Sequence, residues 1–393
     1  MRIAIVSPEF PPETGGGGGV VVEQLARELS NRHHVLVLFG SRTNLKPSKP
    51  KPSLELKPIS LVPSSKSNSR IERNLPPTIK GAVSIASALS HFHPDIVHLH
   101  GIGHIMVDTA GVACRILGIP YISIVHGVPL TANSSSRRLR WAYRAYDKLV
   151  GFSILKSATN IIAVSNRVVR TLESKGIELS KIHLAYPILP IQIQPISVSF
   201  GTRFSISHNT KIILCIGSLA YRKGTDLALE AASRLLEGRN DFVFCLIGND
   251  EGFRQYIETR VVQLGLSSHV RLLGRLTQAL KEAALQECSL VMVPSRDEPF
   301  GLVPLEAIAH NKPVLISLHS GISELIRVPQ FIFDPLDSKS AADKIENILN
   351  NPAHVARLLE LARNSIKQDS WAETVSLYEN MSLSSNSSRQ AVQ

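Results

Sequence analysis

An α/β chain of two tandem Rossmann-like domains facing across a cleft is what the sequence predicts, and three observations carry that prediction. Short β-rich apolar runs alternate with longer stretches of helical period through nearly all of the 393 residues, as repeated βα units require. Several runs, Ile3–Val6 and Val35–Phe39 among them, are apolar at consecutive positions, which suits parallel strands covered on both faces. The alternation breaks at 186–210, where Tyr186-Pro187, Pro190, Pro195 and a Ser-rich stretch intervene, and a second series begins at Lys211. Ligands of open parallel sheets bind beyond the carboxyl ends of the strands, so two facing domains would hold a ligand between them.

In the first half, strands are expected at Arg2–Val6, Val35–Phe39, Ile96–Leu99, Tyr121–Val125 and Ile161–Val164, with helices near 20–31, 79–92, 105–117, 138–157 and 167–175. Residues 41–78 carry seven prolines among many Ser and Lys and read as a long surface excursion with one short strand near 54–62. In the second half, strands are expected at 211–216, 242–247, 269–273, 290–293, 313–317 and 331–333. Helices follow near 225–237, 251–264, 278–287, 302–310, 339–350 and 352–367. The domains are thus 1–190 and 211–370, joined by a linker over 191–210, and the polar residues 382–393 read as a disordered tail.

Composition excludes several classes. Hydrophobic residues make up 44% and charged residues 19%, which marks a core-forming chain and excludes collagenous and acidic disordered proteins. Cys114, Cys215, Cys245 and Cys288 show no C-x-x-C spacing, which excludes a disulfide scaffold and makes a reducing, cytoplasmic compartment the expectation. The run Ile3–Val6 is too short for a signal-peptide core, and no run reaches a membrane-spanning length.

Charge is uneven. Residues 1–197 hold 23 Lys+Arg against 11 Asp+Glu, a net of +12, whereas 198–393 hold 20 against 21, a net of −1. A basic half points to an anionic partner. No nucleic acid is expected, because basic and aromatic residues rarely interleave and no zinc-finger spacing occurs. They interleave in one stretch, where Arg137, Arg138, Arg140, Arg144 and Lys148 flank Trp141, Tyr143 and Tyr146. That pattern suits peripheral contact with an anionic membrane at its inner face.

The glycine run Gly15–Gly19 lies between the first strand and the first helix, where backbone N–H groups can approach an anion closely. Val20-Val21 follows it, which excludes a phosphate-binding G-K-[ST] loop, and Val20 also occupies the third glycine position of a dinucleotide fingerprint. His98 and His100 share one strand face, but no third ligand stands at metal spacing. His126-Gly127 ends the strand Tyr121–Val125 and aims into the crevice. No Asp-x-Asp occurs, so a divalent ion bridging phosphates lacks its usual ligands and no metal or cofactor is expected.

In the second half, Arg222 and Lys223 precede a helix N-terminus that already carries partial positive charge, a clash that a bound anion would relieve. Glu298-Pro299-Phe300-Gly301-Leu302-Val303-Pro304-Leu305-Glu306 follows the strand at 290–293. Its N–H groups at Phe300, Gly301 and Leu302 could bind a phosphate, and the Glu306 carboxylate could accept from a ribose diol.

With these residues in place, the chain resembles the retaining glycosyltransferases of family four, which have the two-domain GT-B fold. The likeness rests on Pro11-Pro12 before the glycine run, His100-Gly101, His126-Gly127, Ala163-Val164-Ser165 and Lys223-Gly224. It also rests on Glu298 eight positions before Glu306, Lys312-Pro313-Val314 and Ser320-Gly321-Ile322-Ser323-Glu324. The resemblance implies that Lys223 binds the donor diphosphate, Glu306 holds the ribose, and Glu298 lies near the transferred sugar with the Phe300–Leu302 amides around it. Gly16 and Gly17 would approach the phosphate, His126 would lie beside the reacting centre, and a helix over 371–381 would cross back to the first domain. Ser218 and Arg222 fall in the same donor-binding stretch. Ser218 stands where the family commonly has Arg, Tyr186-Pro187-Ile188 replaces Pro-Asn-Gly, and Gly248-Asn249-Asp250 replaces Gly-x-Gly.

The implied activity is transfer of a sugar, with retention, from a nucleotide sugar to a glycan, lipid-linked or small-molecule acceptor, as in polysaccharide biosynthesis. A sugar-nucleotide epimerase and a non-catalytic carbohydrate-binding or scaffold descendant remain as alternatives. Ser218 is the best support for the last.

Overall fold

The computed structural model describes residues 1–11, 16–41, 52–61, 77–127, 145–366 and 371–390, with backbone alone at 386–390. The chain divides into two compact units, Met1–Leu189 with Trp371–Gln393, and Pro190–Ser370.

The first unit is a parallel sheet of β1 (Arg2–Ser7), β2 (His34–Ser41), β3 (Leu54–Ser60), β4 (Ile96–His100), β5 (Tyr121–Val125), β6 (Asn160–Ala163) and β7 (Ile182–Leu184). Its order is β3-β2-β1-β4-β5-β6-β7, and every pair is parallel. β1 and β2 are buried at every position after the first, which is why Ile3–Val6 and Val35–Phe39 are continuously apolar instead of alternating; β4 and β5 are buried throughout, His98, His100 and Ser123 included. The helix Gly17–Leu29 buries Val21, Val22, Leu25, Ala26 and Leu29 on one face, against the core that β1 supplies with Ile3 and Ile5. The strand order reverses between β1 and β4, the position at which doubly wound sheets open a crevice. β7 was not expected: its three residues are partly exposed and give no apolar run to read.

The C-terminal helix Trp371–Gln390 belongs to this unit. Val375 and Tyr378 join its core, and Trp371 and Met381 pack against it. Glu379 pairs with Arg32 and His33, each at 3.0 Å, and Thr374 Oγ1 donates to the Tyr186 carbonyl at 2.7 Å. This corrects the expected disordered tail from Ser382. Ser382 and Ser385 are buried, Ser382 Oγ meets His98 Nε2 at 2.9 Å, and Ser385 Oγ meets Thr159 Oγ1 at 2.8 Å. Serines that satisfy buried polar groups look, in composition, like serines that face water.

Of the expected helix 138–157, the described part holds a π-turn at Asp147–Gly151 followed by the helix Phe152–Lys156. Arg137, Arg138, Arg140, Trp141, Tyr143 and Arg144, on which the membrane contact rests, lie outside the described residues. Tyr146 turns inward, its hydroxyl donating to Asp108 Oδ2 at 2.9 Å.

Two histidines, His98 and His100, are buried in this unit, and His126 beside them is partly buried. Burial, with the charge of His33 adding, pushes His98 down to about 3. Burial, with His104 adding, pushes His126 down to about 4, and burial beside His126 and His98 holds His100 well below the usual imidazole range. An unfolded histidine takes its proton near pH 6.5 and these folded ones do not, so their contribution is full above that pH and is lost on descent towards the folded values. The melting midpoint is therefore expected to fall steadily below pH 6.5, by about 1.4 kcal/mol of stability per pH unit for each such histidine. Thermal unfolding at a series of pH values measures it, and a flat profile from pH 6.5 to 4.5 would contradict the burial.

The second unit is a parallel sheet of β8 (Lys211–Ile216), β9 (Phe242–Ile247), β10 (Val270–Gly274), β11 (Leu290–Val293), β12 (Val314–Ser317) and β13 (Ile332–Phe333). Its order is β10-β9-β8-β11-β12-β13, the same doubly wound arrangement with the reversal between β8 and β11. The residues read as a linker, 191–210, are part of this unit. Phe200 is fully buried in the short helix Phe200–Arg203, and the Glu287 carboxylate accepts from the N–H groups of Phe200 and Gly201, each at 2.7 Å. One aromatic anchor in a Pro- and Ser-rich stretch is too sparse a pattern to reveal this.

Candidate active site

In the second unit, the loops after β8 and β11 flank the reversal of strand order and carry most of the sequence-predicted residues. The chain leaves β8 through Gly217 and Ser218, turns at Tyr221–Lys223, and enters the helix Thr225–Leu236 at Gly224. Gly224 has φ +64, and a Cβ there would lie 1.9 Å from the Pro294 carbonyl oxygen. Glycine is therefore what lets the β8 loop rest on the β11 loop.

Arg296 fastens the two loops together. Its N–H donates to the Arg222 carbonyl at 2.9 Å, and its guanidinium grips Asp226 at 2.7 and 2.6 Å. It also donates to the Tyr221 carbonyl at 2.9 Å and lies 4.1 Å from the Tyr221 ring centroid. Bidentate pairing of this kind fixes orientation as well as distance.

So fastened, Lys223 Nζ donates directly to Glu298 Oε2. The two side chains are 21% and 14% exposed, so this is a partly dehydrated pair. Burial opposes the charge on Glu298, but the Lys223 ammonium and the Arg222 guanidinium outweigh it and hold the carboxyl below its ordinary range. Arg222 does not extend into water: its guanidinium lies 3.9 Å from Glu251. Gly301, at φ +103, turns the chain over Glu298, and a Cβ there would lie 3.2 Å from Glu298 Cγ. Phe300 is 5% exposed, so only its backbone can serve a ligand. Ser218 is partly buried beside the Gly248 backbone.

Glu306 lies in the helix Val303–Ala309. Lys281 Nζ donates to its Oε1 at 2.6 Å, while its Oε2 is buried and has no partner among the described residues. A buried carboxylate oxygen with no donor is costly and marks a place for a ligand hydroxyl. Beneath it, His310 Nε2 and Glu282 Oε2 stand 2.7 Å apart.

In the first unit, Gly16 precedes the helix Gly17–Leu29; Gly15 and Pro12 lie outside the described residues. A Cβ on Gly16 would meet Glu9 Oε2 at 2.0 Å, and one on Gly18 would lie 4.0 Å from His126 Cγ. The structure thus brings His126 beside the glycine run. His126 Nε2 meets His100 Nδ1 at 2.9 Å, with the rings stacked.

Sequence reasoning missed Lys281, Arg296, Asp226, Glu282, His310 and Glu9. All but Glu9, which lies against Gly16, meet a partner on another element, so no local spacing announces them. Only the adjacency of Arg296 to the Glu298 segment offered a hint.

Two family models match the chain: Glycosyltransferase Family 4 over residues 15–191 and Glycosyl transferases group 1 over residues 202–366. An uncharacterized glycosyltransferase of Methanocaldococcus jannaschii is 28% identical over 188 residues, 46% of this chain and 48% of that protein. The chain thus spans about half the length of this relative, as it does of a second one from the same organism, at 45%. The D-inositol 3-phosphate glycosyltransferase of Nocardiopsis dassonvillei is 25% identical over 95% of this chain and 92% of that protein. Among solved structures, sucrose-phosphate synthase from Thermosynechococcus elongatus has a TM-score of 0.75 at 18% identity, over 97% of this chain and 98% of that one. HepE of Anabaena, in complex with UDP-glucose, has a TM-score of 0.75 at 18% identity, over 98% and 100%. At such identities the structural likeness shows the fold.

Proposed function

The chain belongs to the group 1 glycosyl transferases, of GT-B fold, and from that premise we propose that it moves a sugar from a nucleotide-sugar donor to a glycan or lipid-linked acceptor with retention. The observation that carries the reading is one loop–helix segment in unit 2 bearing both Glu298, paired with Lys223, and Glu306, whose Oε2 is buried and bare. The first pair offers a cation for a diphosphate, and the bare oxygen offers an acceptor for a ribose hydroxyl.

The chemistry follows from these groups. Departure of a nucleoside diphosphate builds negative charge on its β-phosphate. Lys223 and the N–H groups of Gly301 and Leu302 stabilise that charge as it develops, which lowers the barrier. Arg222 adds to the positive potential already felt by Glu298. Glu298, ionised, orients the sugar hydroxyls. His126, kept neutral by burial, acts as a hydrogen-bond partner and not as a cation. The departing phosphate takes the acceptor proton, so no second carboxylate across the scissile bond is required. The cation is supplied by Lys223, and the reaction is proposed to run without a divalent ion.

A panel of UDP-, GDP- and ADP-sugars, offered with glycan and lipid-linked acceptors after dialysis against chelator, tests the reading. Nucleoside diphosphate release and a product with the donor's anomeric configuration, unchanged by added magnesium or manganese, are expected. Epimerised sugar without transfer would identify an epimerase. Activity lost to chelator and restored by metal would refute the metal-free mechanism.

A further inference from the structure

We propose that Lys281 is a further donor-binding residue, which together with Glu306 reads the ribose diol and so selects ribonucleoside over 2′-deoxyribonucleoside diphosphate donors. This rests on the reading of unit 2 as the donor site.

Lys281 is on the helix Gln278–Glu287, a different element from Glu306. An ammonium has three N–H donors, and Lys281 spends one of them on Glu306 Oε1 at 2.6 Å. Glu306 Oε2 is buried and unpartnered among the described residues. A vicinal diol complements this pair: one hydroxyl donates to Oε2, and a diol oxygen accepts from Lys281. Charge points the same way. A diphosphate would be repelled by a bare carboxylate nearby, and Lys281 neutralises Glu306 as Lys223 neutralises Glu298.

The geometry is built into the fold and is no loose surface bridge. Glu282, next to Lys281, holds His310 at 2.7 Å, and the two side chains are 8% and 1% exposed. His310 Nδ1–H in turn donates to the Glu306 carbonyl at 2.8 Å, and Gln278 Nε2 donates to Glu282 Oε1 at 2.7 Å. The helix carrying Lys281 is therefore latched to the turn carrying Glu306. A sugar lacking the hydroxyl would leave Oε2 or a Lys281 N–H unpaired in a partly dehydrated place, which is how such sites discriminate strongly.

The test is calorimetric titration of uridine, adenosine and guanosine diphosphates, and of their 2′-deoxy counterparts, into the full chain and into Lys281→Met, Lys281→Arg and Glu306→Gln. The wild type is expected to prefer the ribonucleotide it binds best by roughly 10- to 100-fold, the span of one hydrogen bond to a charged group. Lys281→Met should lose most of that preference and Lys281→Arg should keep it; Lys281→Met should also lower the melting midpoint, since Glu306 loses its cation, so affinities are compared well below the midpoint of each variant. Full preference in Lys281→Met, lost only in Glu306→Gln, would overturn the role of Lys281 and leave the donor site standing. A wild type that binds both sugars equally would overturn it as well. No nucleotide bound by the wild type, or identical affinities in all four proteins, would overturn the donor-site reading itself.

Discussion

Lys223→Ala is expected to lower turnover by roughly 100- to 1000-fold, the cost of removing one preorganised donor from developing charge. It should also weaken nucleoside diphosphate binding, because the ammonium meets the phosphates before the transition state as well as in it. The loss is not confined to function. Glu298 is largely buried, and without Lys223 its carboxylate keeps only the more distant charge of Arg222, which costs up to about 3 kcal/mol of stability. Burial would then be opposed by Arg222 alone, so the pKa of Glu298 should rise relative to the wild type and the variant's stability deficit should shrink as the pH is lowered. The double variant Lys223→Ala/Glu298→Gln separates the two effects. Denaturant unfolding should return close to the wild-type midpoint while turnover stays depressed. A Lys223→Ala protein with near-normal turnover would remove the residue from the mechanism.

Glu298→Gln should split affinity from turnover in opposite directions. In the unliganded chain Lys223 is held by Glu298, and a diphosphate has to draw it away. The neutral amide releases that hold, so the affinity for nucleoside diphosphate is expected to be equal to or higher than that of the wild type. Turnover should fall roughly 100-fold, since the group that orients the sugar as charge develops has lost its own charge. Steady-state kinetics and titration of the same preparation measure both. Weakened nucleotide binding at unchanged turnover would reverse the assignment and make Glu298 a ground-state contact.

The fold was legible because both sheets are parallel and covered. Their strands read as continuous apolar runs, and all the strands expected from those runs are present. β7 and the short helix at Phe200 escaped because three half-exposed residues, or a single aromatic anchor, make no periodic pattern. The C-terminal helix escaped beyond Met381 because Ser382 and Ser385 are buried by hydrogen bonding and not by apolarity. The site was partly legible for a related reason. Lys223 and Glu298 stand in loops after strands and Glu306 in the helix that follows the second loop, where position alone argues for a ligand. Lys281 and the Glu282–His310 pair join the candidate site from other elements, and Arg296 reaches from the β11 loop to Asp226 after β8; sequence spacing carries no information about side chains that meet only through the tertiary fold. The resemblance to a family named the first group and was silent on the second.

A crystal structure of the chain with a bound nucleoside diphosphate tests the central claim most directly. The account predicts the diphosphate in unit 2 with Lys223 Nζ drawn from Glu298 onto its oxygens, and a ribose hydroxyl within hydrogen-bonding distance of Glu306 Oε2. A nucleotide bound elsewhere, with the Lys223–Glu298 pair intact and Glu306 Oε2 still bare, would contradict it.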